Sequence, residues 1–216
     1  MSGRRGLLLA LLLGLVAITG CFGPVVRPTA DFTWCPDGSE GKLDYNFFDH
    51  STTVPGHYIT ALSWDFGDGS PPQEGYGMVS HRFPHEGTYH VTLVVTDDRG
   101  VAGTVTKEVL VQSPAVIREW SLTLGWPATV TGEVVNRSDR TLDSVVIKAK
   151  FYSADNVRLT EGTAEILELE PGEVALFSIE APEYTARTFY AKVFVDSFTV
   201  DCQEEPYPQR SDETDS

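Results

Sequence analysis

The sequence predicts an all-β protein: two β-sandwiches in tandem behind an export signal. Three observations lead there. Beyond residue 28 the apolar residues recur with period two, the period of strands. These runs are rich in Val, Ile, Thr and Tyr and are broken by Gly, Pro, Asn and Asp. No amphipathic helix of convincing length appears, so the apolar face of one sheet must be covered by a second sheet.

The chain has 216 residues, 41% of them hydrophobic, enough for a packed core. Lys and Arg total 16 against 31 Asp and Glu, a net charge of -15. That balance argues against nucleic acid as a partner, since a phosphate backbone needs clustered cations. It suits solubility in a crowded or salty exterior. Three cysteines make no disulfide scaffold and show no zinc spacing.

The first element is an address. Arg4 and Arg5 precede an apolar run, Leu7 to Ile18, which is too short to span a bilayer comfortably and right for a signal peptide. It ends in Ile18-Thr19-Gly20-Cys21, which resembles the lipobox of bacterial and archaeal lipoproteins. The resemblance implies that residues 1–20 are removed and that Cys21 is lipidated. The protein would then be exported and anchored to the outer face of the cell membrane, or held in the periplasm or outer membrane of a host with two membranes. Arg4-Arg5-Gly6-Leu7-Leu8 also resembles a twin-arginine export motif, while the leucine-rich run fits general secretion; both routes stay open. Residues 21–27, with Pro24 and Pro28 keeping the chain extended, form a tether reaching at most about 25 Å.

Residues 28–112 make the first sandwich. In its longest strand Tyr89, Val91, Leu93 and Val95 share one face and Thr92 and Thr96 the other. Ala30-Asp31-Phe32, Ser63-Trp64-Asp65-Phe66-Gly67-Asp68-Gly69-Ser70, His81-Arg82-Phe83 and Gly87-Thr88-Tyr89 follow in an order that resembles a PKD (polycystic kidney disease) repeat, an immunoglobulin-like β-sandwich. Trp64 is expected to fill the space between sheets. Gly67 and Gly69 allow a tight turn, in which Asp65 and Asp68 cap backbone amides. The same two acids, with Asp97 and Asp98, are weak calcium candidates.

Residues 113–115 read as a linker, and 116–202 as the second sandwich. Val145, Ile147, Ala149 and Phe151 face one side, as do Phe189, Ala191, Val193 and Val195. Val130 to Asn136, Phe151-Tyr152-Ser153-Ala154-Asp155 and Leu169-Glu170-Pro171-Gly172-Glu173 resemble an FxLYD-type domain, which implies a second sandwich and no established activity. Residues 203–216 hold two prolines and no apolar face, the composition of a disordered acidic tail.

No Gly-x-Ser-x-Gly elbow, metalloprotease helix or phosphate loop is present, so no catalytic residue and no cofactor is assigned. The five histidines (His50, His57, His81, His85, His90) lie in the first half, where ordinary strand and turn roles account for them better than a metal. Cys35 and Cys202 are candidates for one disulfide, provided the two sandwiches bring them within about 7 Å. Asn136-Arg137-Ser138 is a formal glycosylation sequon, and the same asparagine fits the strand-end turn that the FxLYD resemblance implies. Trp120, Trp126, Tyr58, Tyr76 and Tyr184 read as aromatics near strand ends or loops, where exposed rings can stack on sugars, although aromatics of sandwiches mostly serve core and rim packing. The function expected is that of a non-catalytic surface protein offering its modules to a protein or glycan. A carbohydrate-binding envelope lipoprotein is the alternative, and an enzyme with an unrecognised site a distant third.

Overall fold

A computed structural model describes residues 25–38, 43–182 and 188–202. The signal segment with Cys21, the ring of Tyr184 and the acidic tail lie outside the described residues.

The protein is all-β, and among the described residues there is no helix. The first half contains β1 (Phe32–Asp37), β2 (Asp44–Asp49), β3 (Ile59–Asp65), β4 (Gln73–Glu74), β5 (Met78–Arg82), β6 (Gly87–Asp97) and β7 (Ala102–Val111). They form a sheet β1-β2-β5 and a sheet β4-β3-β6-β7. The second half contains β8 (Ala115–Thr123), β9 (Thr129–Asn136), β10 (Leu142–Tyr152), β11 (Arg158–Leu169), β12 (Val174–Glu180) and β13 (Tyr190–Val200). These form sheets β12-β9-β8 and β11-β10-β13. All ladders are antiparallel.

Each half closes over its own apolar core. The first is aromatic: Phe32, Phe47, Trp64, Phe66 and Phe83 are buried together. Trp64 comes from β3, an inner strand, and its ring meets Phe32 edge-on at 5.3 Å between centroids. Edge-to-face packing of this kind adds to the burial of the rings. The second core is aliphatic, with Val145, Ile147, Ala149 and Phe151 of β10 fully buried as their alternation requires.

Two expectations fail at strand boundaries. Phe189 precedes β13 and is 65% exposed. The inner face of β13 runs through Ala191 and Val195 and then shifts to Phe198, because the β10–β13 ladder slips a residue between Val146 and Ile147. An extra residue in one strand turns every later side chain over. The linker is also shorter than expected, since Ala115 already opens β8 and is buried.

Strand parity decides where the chain ends. β7 enters the junction at Val111, and β8 leaves from it at Ala115. Among the described residues six antiparallel strands then traverse the second sandwich, an even number, and the last one returns to the junction. Val200 of β13 accordingly pairs with Leu142, the junction end of β10. Cys202 arrives beside β1 and is disulfide-bonded to Cys35, with 5.9 Å between the Cα atoms.

Candidate functional site: the cleft at the module junction

β1 and β7 are the edge strands of opposite sheets, and both run toward the junction. Between them lies a cleft of about 620 Å3, closed at its far end by the 137–140 loop of the second sandwich. Its lining mixes rings and charges: Trp34, Tyr45, Lys107, Gln112, Arg137 and Arg140. A cavity of this size with a few placed polar groups is the ordinary form of a ligand site.

Each wall is held by identifiable bonds. Tyr45 projects from β2, and its hydroxyl donates to the Gln112 carbonyl at 3.1 Å and accepts the Gln112 N–H at the same distance. Burial is the main cause that pushes this phenol's pKa above its usual value, with Glu86 and Asp139 adding to it. Lys107 donates to Asp31 Oδ1 and to the Phe32 carbonyl, both at 2.6 Å, tying β7 to the start of β1. That hydrogen bond holds the Asp31 carboxyl below its usual range.

The far wall is built on Asn136. Its side chain is fully buried and donates to the carbonyls of Arg140 and Leu169 at 2.7 and 2.8 Å. Its oxygen accepts from the Ser138 N–H and hydroxyl. Asn136 is therefore the peg that shapes the Arg137–Arg140 loop, and the reading of it as a glycosylation site is corrected: both amide hydrogens are in use, and no solvent reaches it.

The two sandwiches are glued at the same place. Glu86 of the first accepts the Ser113 N–H at 2.8 Å and faces Arg137 of the second at 3.8 Å. Gln112 donates to the Arg137 carbonyl at 2.7 Å, and the Arg137 N–H reaches the Pro114 carbonyl at 2.6 Å. Arg140 is the cation of this loop whose guanidinium makes no ion pair within the described residues.

The other residues singled out from the sequence disperse. Asp65 Oδ1 accepts the Gly67 N–H at 2.9 Å, and Asp68 Oδ1 accepts both the N–H and the hydroxyl of Ser70. The second oxygen of Asp68 meets His81 Nε2 at 2.8 Å. Burial opposes ionisation of Asp68, yet the Ser70 and His81 hydrogen bonds outweigh it and lower its pKa to about 2. His81 also stacks on Phe66 at 3.8 Å, so this pair joins the two most distinctive sequence segments of the first sandwich. Asp97 is buried under Arg99, and Asp98 pairs with His57 at 2.9 Å. His90 faces Glu108 and His50 meets Thr33. Among the described residues no three His, Cys, Asp or Glu side chains gather as a metal site.

Of the aromatics, Tyr58 and Tyr76 are exposed on the first sandwich and Trp126 on the β8–β9 loop. Trp120 is not at a strand end; it lies within β8, opposite Gly132. It borders a shallower hollow of about 520 Å3 with Glu119, Glu133 and Leu176. Trp34, Tyr45 and Arg140 went unremarked in the sequence. The one available signal was that Trp34 shares the inward phase of Phe32 while lying one residue from Cys35.

Residues 25–111 match the family model of the PKD domain. The first sandwich is a PKD domain. A microbial collagenase of Vibrio alginolyticus is 35% identical over 77 residues, which are 35% of this chain and 9% of that protein. The chain thus spans under a tenth of the curated relative it matches. The PKD1 domain of Vibrio anguillarum Epp is 31% identical, with a TM-score of 0.36, covering 41% of this chain and 96% of that one. The PKD1 domain of the Vibrio cholerae metalloprotease PrtV is 28% identical, with a TM-score of 0.35, covering 40% and 99%. A carbohydrate-binding module of the β-sandwich superfamily is 14% identical, with a TM-score of 0.36, over 81% of this chain and 98% of that one. PKD domains are accessory units of secreted or surface proteins, as a rule without catalysis of their own.

Proposed function

We propose that this is an exported, non-catalytic lipoprotein, anchored through Cys21 to the outer face of its membrane. It presents a PKD domain (28–112) and an FxLYD-like sandwich (116–202) to a surface protein or glycan, with the junction cleft as the contact surface. One observation carries the reading: the cleft exists only because both modules build it, and a disulfide and the Glu86–Arg137–Gln112 bonds fix its two walls. A fixed concave surface with rings and the Arg140 guanidinium, which makes no ion pair among the described residues, is preorganised for binding, which lowers the ordering cost of association. The test is photocrosslinking on intact cells, with a photoreactive residue at Thr33 or, as control, at Asp155 on the far turn of the second sandwich. A discrete adduct at Thr33 that Arg140→Glu abolishes is expected. Adducts equal at both positions, or unaffected by Arg140→Glu, refute the cleft.

The hollow beside Trp120 favours a second reading, carbohydrate binding on the β8–β9–β12 face. An exposed indole flanked by Glu119 and Glu133 has the two groups a sugar needs, a face for stacking and acceptors for hydroxyls. Glycan-array binding by the full chain that is lost in Trp120→Ala supports this reading; binding that survives the substitution removes it.

A further inference from the structure

We infer that the PKD domain lies on the lipid surface by one particular end: the Val25–Thr29 segment, the 51–58 loop and the Asp97–Val101 turn. This rests on the lipid anchor at Cys21 proposed above. The observation behind it is that the segment entering the first sandwich belongs to the fold. Thr29 and Thr52 exchange backbone hydrogen bonds of 2.8 and 2.9 Å. Arg27 donates to the Ala102 carbonyl, and Arg99 to the Val26 carbonyl, each at 2.8 Å. Gly103 makes the close approach feasible, because a Cβ there would stand 2.0 Å from the Pro28 carbonyl oxygen. The clasp itself is rigid. Arg99 is gripped by the fully buried Asp97, which also accepts the N–H groups of Arg99 and Val101.

The chain is therefore fixed from Val26 onward. Five residue steps separate Val26 from Cys21, at most about 17 Å of extended chain. The Asp97–Val101 turn, which holds Val26, cannot drift far from the lipid. β7 starts beside that turn and runs ten residues to the junction, about 33 Å away. The cleft and the second sandwich are carried outward.

The chemistry of this end suits a bilayer interface. Val25, Val26 and Tyr58 are 65%, 55% and 66% exposed, and tyrosine favours the headgroup level. The chain as a whole is strongly acidic, whereas this end is close to charge balance: Asp97 pairs with Arg99 and Asp31 with Lys107, Asp98 meets His57, Asp49 accepts the Ser51 N–H, and Arg27 adds a further cation.

The full processed chain is reconstituted into phosphatidylcholine vesicles containing phosphatidylglycerol and a headgroup quencher. A fluorophore is placed, through an unnatural amino acid, at Tyr58 or at Asp155. Strong quenching at Tyr58 and little at Asp155 is expected. Equal quenching, or stronger quenching at Asp155, on a chain whose acylated N-terminus is confirmed by mass spectrometry overturns the orientation alone. An unacylated N-terminus overturns both the anchor and this inference. Gly103→Ala pushes Pro28 off β7 and lengthens the free tether, so quenching at Tyr58 should fall about twofold; no change overturns the clasp as its cause.

Discussion

Removing the Cys35–Cys202 bridge tests the two-module architecture most directly. The cysteines are 167 residues apart in sequence. Closing a loop of that length removes about 17 cal/mol/K from the unfolded chain, or about 5 kcal/mol at room temperature. If the PKD domain opens alone, the closed loop shrinks to roughly 80 residues and the term falls only to about 4.5 kcal/mol, because closure entropy depends on the logarithm of length. The bridge should therefore stabilise whichever module melts first by nearly its full value, and the second hardly at all. For a module of this size that corresponds to a fall of about 20–35 °C in the first transition. Scanning calorimetry of the oxidised protein and of Cys35→Ser/Cys202→Ser reads it, and the variant should split one transition into two. A variant melting within about 3 °C of the oxidised protein would refute the reasoning. So would a native protein in which both thiols react with a thiol reagent before reduction.

Three further outcomes are expected. Asn136→Ala leaves the buried carbonyls of Arg140 and Leu169 without donors and should cost about 2–3 kcal/mol in urea unfolding, while glycopeptide mapping finds Asn136 unmodified. Asp68 has its folded pKa lowered from 3.8 to about 2, so its contribution is present above the unfolded pKa and is lost as pH falls through the folded one. The full shift is equivalent to about 2 kcal/mol, reduced near the surface by solvent screening to about 1 kcal/mol. Thermal melts between about pH 4 and pH 2 should show that loss in the native chain and not in Asp68→Asn. Calcium should leave the melting curve within about 1 °C of that in chelator, because Oδ1 of Asp65 and both oxygens of Asp68 already accept hydrogen bonds; a larger rise with calcium refutes this.

Much of the fold was legible because alternation is a local signal. Val91, Leu93 and Val95, and likewise Val145 to Phe151, announce their buried face without any knowledge of partners. The Trp64–Gly69 segment was legible for the same reason: its capping bonds close within two residues. Phe189 misled because it stands just ahead of β13, outside the Tyr190–Val200 ladder, and where that ladder starts depends on the neighbouring strand. Asn136 stayed open between two readings because a sequon and a buried turn peg are spelled alike; only the carbonyls of Arg140 and Leu169 distinguish them. The cysteine pair was visible, but its geometry required a strand count, and parity is a property of the whole module.

The cleft is the extreme case of that non-locality. Trp34 and Arg140 are separated by most of the first module and the first two strands of the second, and neither stands out in its own segment. What joins them is the return of β13 to β1 and the Asn136 peg, two features that serve the second core first. The same residues that close that sandwich thereby set the wall of the cleft. A substitution at Asn136 should then alter binding without touching any ligand, whereas one at Arg140 should alter binding and leave stability nearly unchanged. That difference separates a surface the fold merely exposes from one it shapes, and two variants measured for melting and for crosslinking at Thr33 suffice to tell which this is.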